Sequence, residues 1–202
     1  NIILRPNIDE QIKIGALFDL GQDYRKGGFL NRSLKTFLQV SQKNPGDVRT
    51  LKEIERIYEG LKDWENAYAT RQKIARLEKG HHDHILAHHL VEAGKVCQEK
   101  DDVAKAKILF NKAISTQKQC VDAYLHLGDL YFGRQDYKKA ISAWKKVVEA
   151  APHFTFLAYG RLEGAYTRMK NLEPVEVFLK ECARLNPDAF THMALARYLY
   201  SK

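Results

Sequence analysis

Pro45, Pro152 and Pro187 each close an apolar run with helical spacing. Counting back from them exposes one pattern about 34 residues long. The unit starting at Val121 shows it best, with Tyr124, Leu127, Gly128, Tyr131, Ala140, Trp144, Val147 and Pro152 at positions 4, 7, 8, 11, 20, 24, 27 and 32. The unit from Ile14 gives Leu17, Leu20, Gly21, Tyr24, Ser33, Phe37, Val40 and Pro45. The unit from Val48 keeps Leu51, Ile54, Tyr58, Ala67 and Ile74, but Arg71 replaces the aromatic and Lys79 the proline. The unit from Ala87 gives Leu90, Ala93, Gly94, Cys97, Ala106, Phe110 and Ala113, and the unit from Phe156 gives Tyr159, Leu162, Tyr166, Val175, Leu179 and Pro187. The starts at 14, 48, 87, 121 and 156 are spaced 34, 39, 34 and 35 residues.

The landmarks have a common physical meaning. Apolar residues at i, i+3, i+4 and i+7 make two amphipathic helices per unit. Glycine at position 8 and alanine at position 20 let the paired helices approach closely, and the aromatic at position 11 fills the space beside them. Position 16 carries Asp63, Asp102, Asp136 and Asn171, residues that cap the first amides of a second helix. Position 17 is Leu30, Trp64, Val103, Tyr137 and Leu172, an apolar pin for the turn. The longer spacing falls at Lys79–Asp83. It predicts either a longer connection or a lengthened first helix in the third unit. No stretch reads as a strand.

This pattern resembles the tetratricopeptide repeat. The resemblance implies an all-α fold of helix-turn-helix repeats stacked in a right-handed superhelical solenoid, because no unit can bury its own apolar face. The expected organisation is one array with units near 14–47, 48–86, 87–120, 121–155 and 156–188 and a partial sixth over 189–202. The chain lacks an initiating Met and stops just after the run Tyr198–Tyr200, so it reads as a fragment of a longer protein.

Composition narrows the function. Apolar residues are 45% and charged residues 29%, a folded and not a disordered balance. No run reaches the ~18–20 apolar residues of a membrane helix. The formal charge of +8 permits an acidic partner without requiring one. Cys97, Cys120 and Cys182 have no CxxC spacing, which suits neither a disulfide framework nor a four-cysteine zinc site. Cys97 and Cys182 fall on packing positions, and no paired base makes any of the three a nucleophile. Gly27-Gly28 is a turn, not a phosphate cradle. The chain therefore reads as non-enzymatic, with no cofactor.

In tetratricopeptide arrays, positions 2, 5, 9, 12 and 13 tend to line the concave groove. The candidate partner-binding residues are Arg25 and Lys26 from the first unit, Arg49, Lys52 and Arg56 from the second, His88 and Lys95 from the third, Leu125 and Phe132 from the fourth and Leu157 from the fifth. A basic early groove followed by an acidic, then apolar and open, later groove suits a protein or peptide with acidic segments. A clamp for chaperone tails does not fit. Phe18 and Gln22 stand where Lys and Asn belong, and shifting the frame by one unit puts Glu92 where Asn belongs. Nucleic acid is not the expected partner, because the aromatics occupy core landmarks and are not interleaved with Lys and Arg. Five histidines crowd residues 81–89, and His84 and His88 share a helix face. They read as solvated or hydrogen-bonded side chains, with an adventitious metal, a functional metal or a pH switch as the alternatives.

Three stretches carry a more specific resemblance. Leu17–Tyr24, with Leu20, Gly21, Asp23 and Tyr24, is similar to an LGxDY helix. Arg56–Tyr58 with Asp63, Trp64 and Ala67 is similar to an IYxxxxDWxxA unit. Ala87 and His88 with Glu92, Ala93, Asp101, Asp102 and Ala106 are similar to a unit that follows a longer spacer. In this order they resemble the cytoplasmic repeat region of the bacterial lipopolysaccharide assembly protein B family. That resemblance implies a scaffold or adaptor coupling a membrane-bound AAA+ protease to lipid A synthesis enzymes. It also implies an inner-membrane anchor before the repeats and a zinc ribbon after them, neither present in this chain. The alternatives are a generic scaffold in a pilus, secretion or other assembly, and, outside these, an RNA-binding or regulatory helical-repeat protein.

Overall fold

The computed structural model describes residues 9–170, 173–185 and 189–200. Among them every regular element is helical. The order is α1 (Glu10–Lys26), α2 (Leu30–Lys43), α3 (Val48–Gly60), α4 (Trp64–Leu77), α5 (Asp83–Glu99), α6 (Val103–Thr116), α7 (Val121–Gly133), α8 (Tyr137–Ala150), α9 (Phe156–Arg168), α10 (Glu173–Leu185) and α11 (Ala189–Tyr200). A 3₁₀ turn, Pro152–Phe154, links α8 to α9. Helices α3, α7 and α9 start at the first position of their sequence units, and α2, α4, α6 and α8 start at position 17. The extra residues before the third unit lengthen its first helix, since α5 begins at Asp83, four residues ahead of Ala87.

The turn inside each unit repeats one backbone device. Gly28, Lys62, Asp101, Gln135 and Lys170, all at position 15, have φ of 78°, 57°, 58°, 61° and 54°. This left-handed residue ends the first helix. The next amide then reaches back to the position-11 carbonyl, in the pairs Phe29–Tyr24, Asp63–Tyr58, Asp102–Cys97 and Asp136–Tyr131, at 2.8–3.0 Å. That bond satisfies a carbonyl the helix leaves open. Asp63, Asp102 and Asp136 then accept from the amides of Asn66, Lys105 and Lys139, so each carboxylate caps the second helix. Asn171, Leu172 and Pro187 lie outside the described residues.

The chain divides into two compact units, residues 1–93 and 94–202. In the first, α1 packs on α2, α2 on α3 and α3 on α4. Its core holds Leu17, Phe18, Phe37, Val40, Ile54 and Ile57. In the second, α6 packs on α7, α7 on α8, α8 on α9 and α10 on α11. Trp144 and Val147 sit there with Leu162, Val175, Leu179 and Cys182. Three glycines permit close approach of an aromatic ring. A Cβ on Gly21 would lie 2.9 Å from the Phe37 ring, one on Gly94 2.5 Å from Phe110, and one on Gly128 2.2 Å from Trp144. The Trp144 indole also donates to the Leu125 carbonyl at 3.2 Å, which satisfies its one buried donor.

Candidate partner-binding surface

The basic residues of the first two repeats come from the last turn of α1 and the exposed side of α3. They do not stand as bare charges. Glu53, 7% exposed, takes Arg25 at 2.9 Å on one oxygen and Arg56 at 2.8 Å on the other. Lys52 reaches Glu78 at 2.6 Å, and this bond holds the Glu78 carboxyl below its ordinary range. The Arg49 guanidinium lies over the Phe18 ring, 4.0 Å from its centroid, a cation–π contact. Lys26 is exposed. Arg25, Lys52 and Arg56 are thus held in fixed positions by two carboxylates, and Arg49 by an aromatic face. The guanidinium groups are thereby pre-positioned for carboxylate partners.

The other expected groove residues divide. His88 is exposed and edge-on to Trp64, with ring centroids 5.9 Å apart. Lys95 is half-buried. Leu125 is no anchor for a partner: at 6% exposure it belongs to the core. Position 5 of α7 faces inward because the close approach at Gly128 draws Trp144 beneath it. Phe132 is half-buried against Tyr137 and Trp144, and Leu157 is half-buried against the same core. The acidic character expected of the later groove falls in the fourth unit on Asp129, at position 9, and it is answered within the protein, because Arg161 clasps both its oxygens at 2.7 and 3.0 Å. What is open on α9 is glycine: a Cβ on Gly160 or Gly164 would meet nothing within 4 Å. Beside it lies a cleft of about 500 Å³ lined by Phe156, Tyr159, Gly160, Leu179, Met193 and Arg197.

The histidine cluster is expected from its sequence to be solvated or hydrogen-bonded side chains. His84 and His88 are both exposed. The buried histidine is His89, 0% exposed, and its Nε2 meets Glu59 at 2.8 Å. Next to it lies Glu55, 2% exposed, which Arg71 clasps through both oxygens. This group was hidden in the repeat frame. Glu55 stands at position 8, where the neighbouring repeats have glycine, and Arg71 at position 24, where they have an aromatic. The two departures in one unit are the signal that could have found it. The cysteines behave as packing residues. Cys97 and Cys182 are buried, and burial pushes the Cys182 thiol up to about 12 and raises that of Cys120.

Hairpins of this construction define a tetratricopeptide-repeat array, and the tetratricopeptide repeat family model matches residues 121–154. The chain is a tetratricopeptide-repeat protein that resembles lipopolysaccharide assembly protein B. It is 25% identical over 199 residues to that protein from Haemophilus influenzae, covering 98% of this chain and 50% of the relative. It is 22% identical over 122 residues to the Escherichia coli K12 protein, covering 60% of this chain and 31% of that one. The chain thus spans half or less of the length of these curated relatives. Among solved structures, MamA has a TM-score of 0.56 at 21% identity, covering 92% of this chain and 94% of its own. YrrB, described as a tetratricopeptide protein with an unusual peptide-binding site, has a TM-score of 0.50 at 15% identity, with 90% of each chain covered. These likenesses show the fold. No described helix is long and apolar enough to cross a membrane.

Proposed function

We propose that this chain is a non-catalytic adaptor that holds other proteins together in lipopolysaccharide assembly. The observation that carries the reading is the resemblance to lipopolysaccharide assembly protein B along 98% of the chain. The partners are a membrane-bound AAA+ protease and lipid A synthesis enzymes, and the full-length protein is anchored at the bacterial inner membrane with its repeats on the cytoplasmic side. An acidic segment of a partner docks on the α1–α3 surface. There Arg25, Arg49, Lys52 and Arg56 are already oriented, so little side-chain entropy is lost on binding.

The test is capture from a bacterial membrane extract by the wild-type chain and by the triple variant Arg49→Glu, Lys52→Glu, Arg56→Glu. Circular dichroism must first show both to be helical. The expected result is recovery of the protease and lipid A enzymes by the wild type and their loss in the variant. Equal capture by both at moderate salt removes the basic surface from the reading. Capture of pilus or secretion components instead replaces the lipopolysaccharide role with that of a scaffold elsewhere.

A further inference from the structure

We propose that Glu55, Glu59 and His89 form a binding site for one divalent metal ion of the zinc class. One ligand atom from each lies within 4.8 Å of the other two. His89 Nε2 is 2.8 Å from Glu59 Oε1 and 3.6 Å from Glu55 Oε1. Ligands on a tetrahedral ion with bonds of about 2.0–2.1 Å are separated by about 3.4 Å. To share an ion, Nε2 and the Glu59 oxygen would part by about 0.6 Å and Nε2 and the Glu55 oxygen would close by about 0.2 Å.

The surroundings supply further parts of such a site. His89 is fully buried, and Nε2 is its ring nitrogen with a partner. Glu55 is fixed from behind by Arg71, whose Nε donates to Oε1 at 2.7 Å. A carboxylate has about four lone-pair sites, so two bonds from a guanidinium leave room for a metal. Arg71 then does what outer groups do in metal sites, orienting a ligand without touching the ion. Two carboxylates against one guanidinium leave the pocket net negative. Glu59 is the open side: its side chain is 36% exposed, which gives the ion a way in and leaves a fourth position for water. Imidazole among the donors selects zinc, cobalt, nickel or copper over magnesium and calcium, which take oxygen. The three residues come from α3 and α5, so a bound ion would tie the second repeat to the first helix of the third.

The experiment is zinc calorimetry on the untagged 202-residue chain, paired with cobalt(II) titration read by visible absorption and by Trp64 fluorescence. The Trp64 ring is 6.0 Å from His89. The expected result is one zinc ion per chain, weakened roughly tenfold or more in Glu59→Gln, unchanged in His84→Ala, and tetrahedral cobalt absorption with quenching of Trp64. His89→Gln should abolish binding, and Glu59→Gln decides alone if that buried substitution unfolds the chain. No zinc binding, binding indifferent to Glu59→Gln, or binding lost in His84→Ala overturns the proposal; the last would place the ion on the exposed histidines.

Discussion

Arg71 and Glu55 face each other across the second repeat hairpin at the two places where the first, third and fourth repeats set an aromatic ring against glycine. Gly21 with Phe37, Gly94 with Phe110 and Gly128 with Trp144 are the apolar versions. The second repeat closes the same gap with a guanidinium on a carboxylate. Removing one partner of a buried pair leaves an uncompensated charge, whereas replacing both with packed apolar groups is often neutral or better. Arg71→Ala should therefore cost about 3–5 kcal/mol, while the double variant Glu55→Gly, Arg71→Phe should unfold near the wild-type urea midpoint. A double variant as unstable as Arg71→Ala would mean that the pair does more than fill the glycine–aromatic slot.

The glycines separate by what lies over them. At Gly128 an added methyl meets Trp144 at 2.2 Å, at Gly94 it meets Phe110 at 2.5 Å and at Gly21 it meets Phe37 at 2.9 Å. Alanine should destabilise in that order, with Gly128→Ala costing about 3 kcal/mol by overpacking. At Gly160, where nothing lies within 4 Å, alanine should stabilise α9 by roughly 0.5–1 kcal/mol through helix propensity. Denaturant titration of the four variants checks the ranking.

These packing positions were the legible part of the sequence. Phe37, Phe110 and Trp144 recur because each must fill the same gap, and Asp63, Asp102 and Asp136 recur because each must cap the same helix start. The surface was less legible because its state is set by partners far along the chain. Arg25 meets Glu53, Lys52 meets Glu78, and Asp129 meets Arg161, which is 32 residues away. A frame that treats each helix by itself shows Leu125 on a groove position, and only the packing of Trp144 shows that it is core. The spacing put His84 and His88 on one face, and both are exposed; it could not show that His89 turns inward to Glu59, because helical spacing selects a face and not which face is buried.

Of the left-handed turn residues Gly28 alone was legible as part of a turn, since such a backbone can be built from Lys, Asp or Gln as well as from Gly. It is costly, however: a non-glycine residue in that region gives up roughly 1–2 kcal/mol. Lys62, Asp101 and Gln135 have φ of 57°, 58° and 61°. Replacing each with glycine should raise stability, by about 0.5–1 kcal/mol after the added freedom of the unfolded chain is subtracted. Gly28→Ala should lower it by about 1 kcal/mol. Thermal melts of Gln135→Gly and Gly28→Ala, moving in opposite directions, would establish the effect.

His126 on α7 gives the second compact unit a pH dependence with a definite sign. Its ring stacks on Phe110, with centroids 5.6 Å apart and planes 17° from parallel. Burial lowers its pKa, with Lys95 and Arg161 acting in the same direction and Asp129 and Asp122 opposing. The unfolded chain therefore takes up a proton on this residue at a higher pH than the folded chain does. Its contribution to stability is complete above the unfolded value of about 6.5 and is lost as the pH falls from there toward the lowered folded value. His126→Gln cannot titrate, so its melting temperature should fall less than that of the wild type between about pH 7 and pH 5. Melting curves that stay parallel over that interval would show that His126 keeps an ordinary proton affinity despite its stacked position.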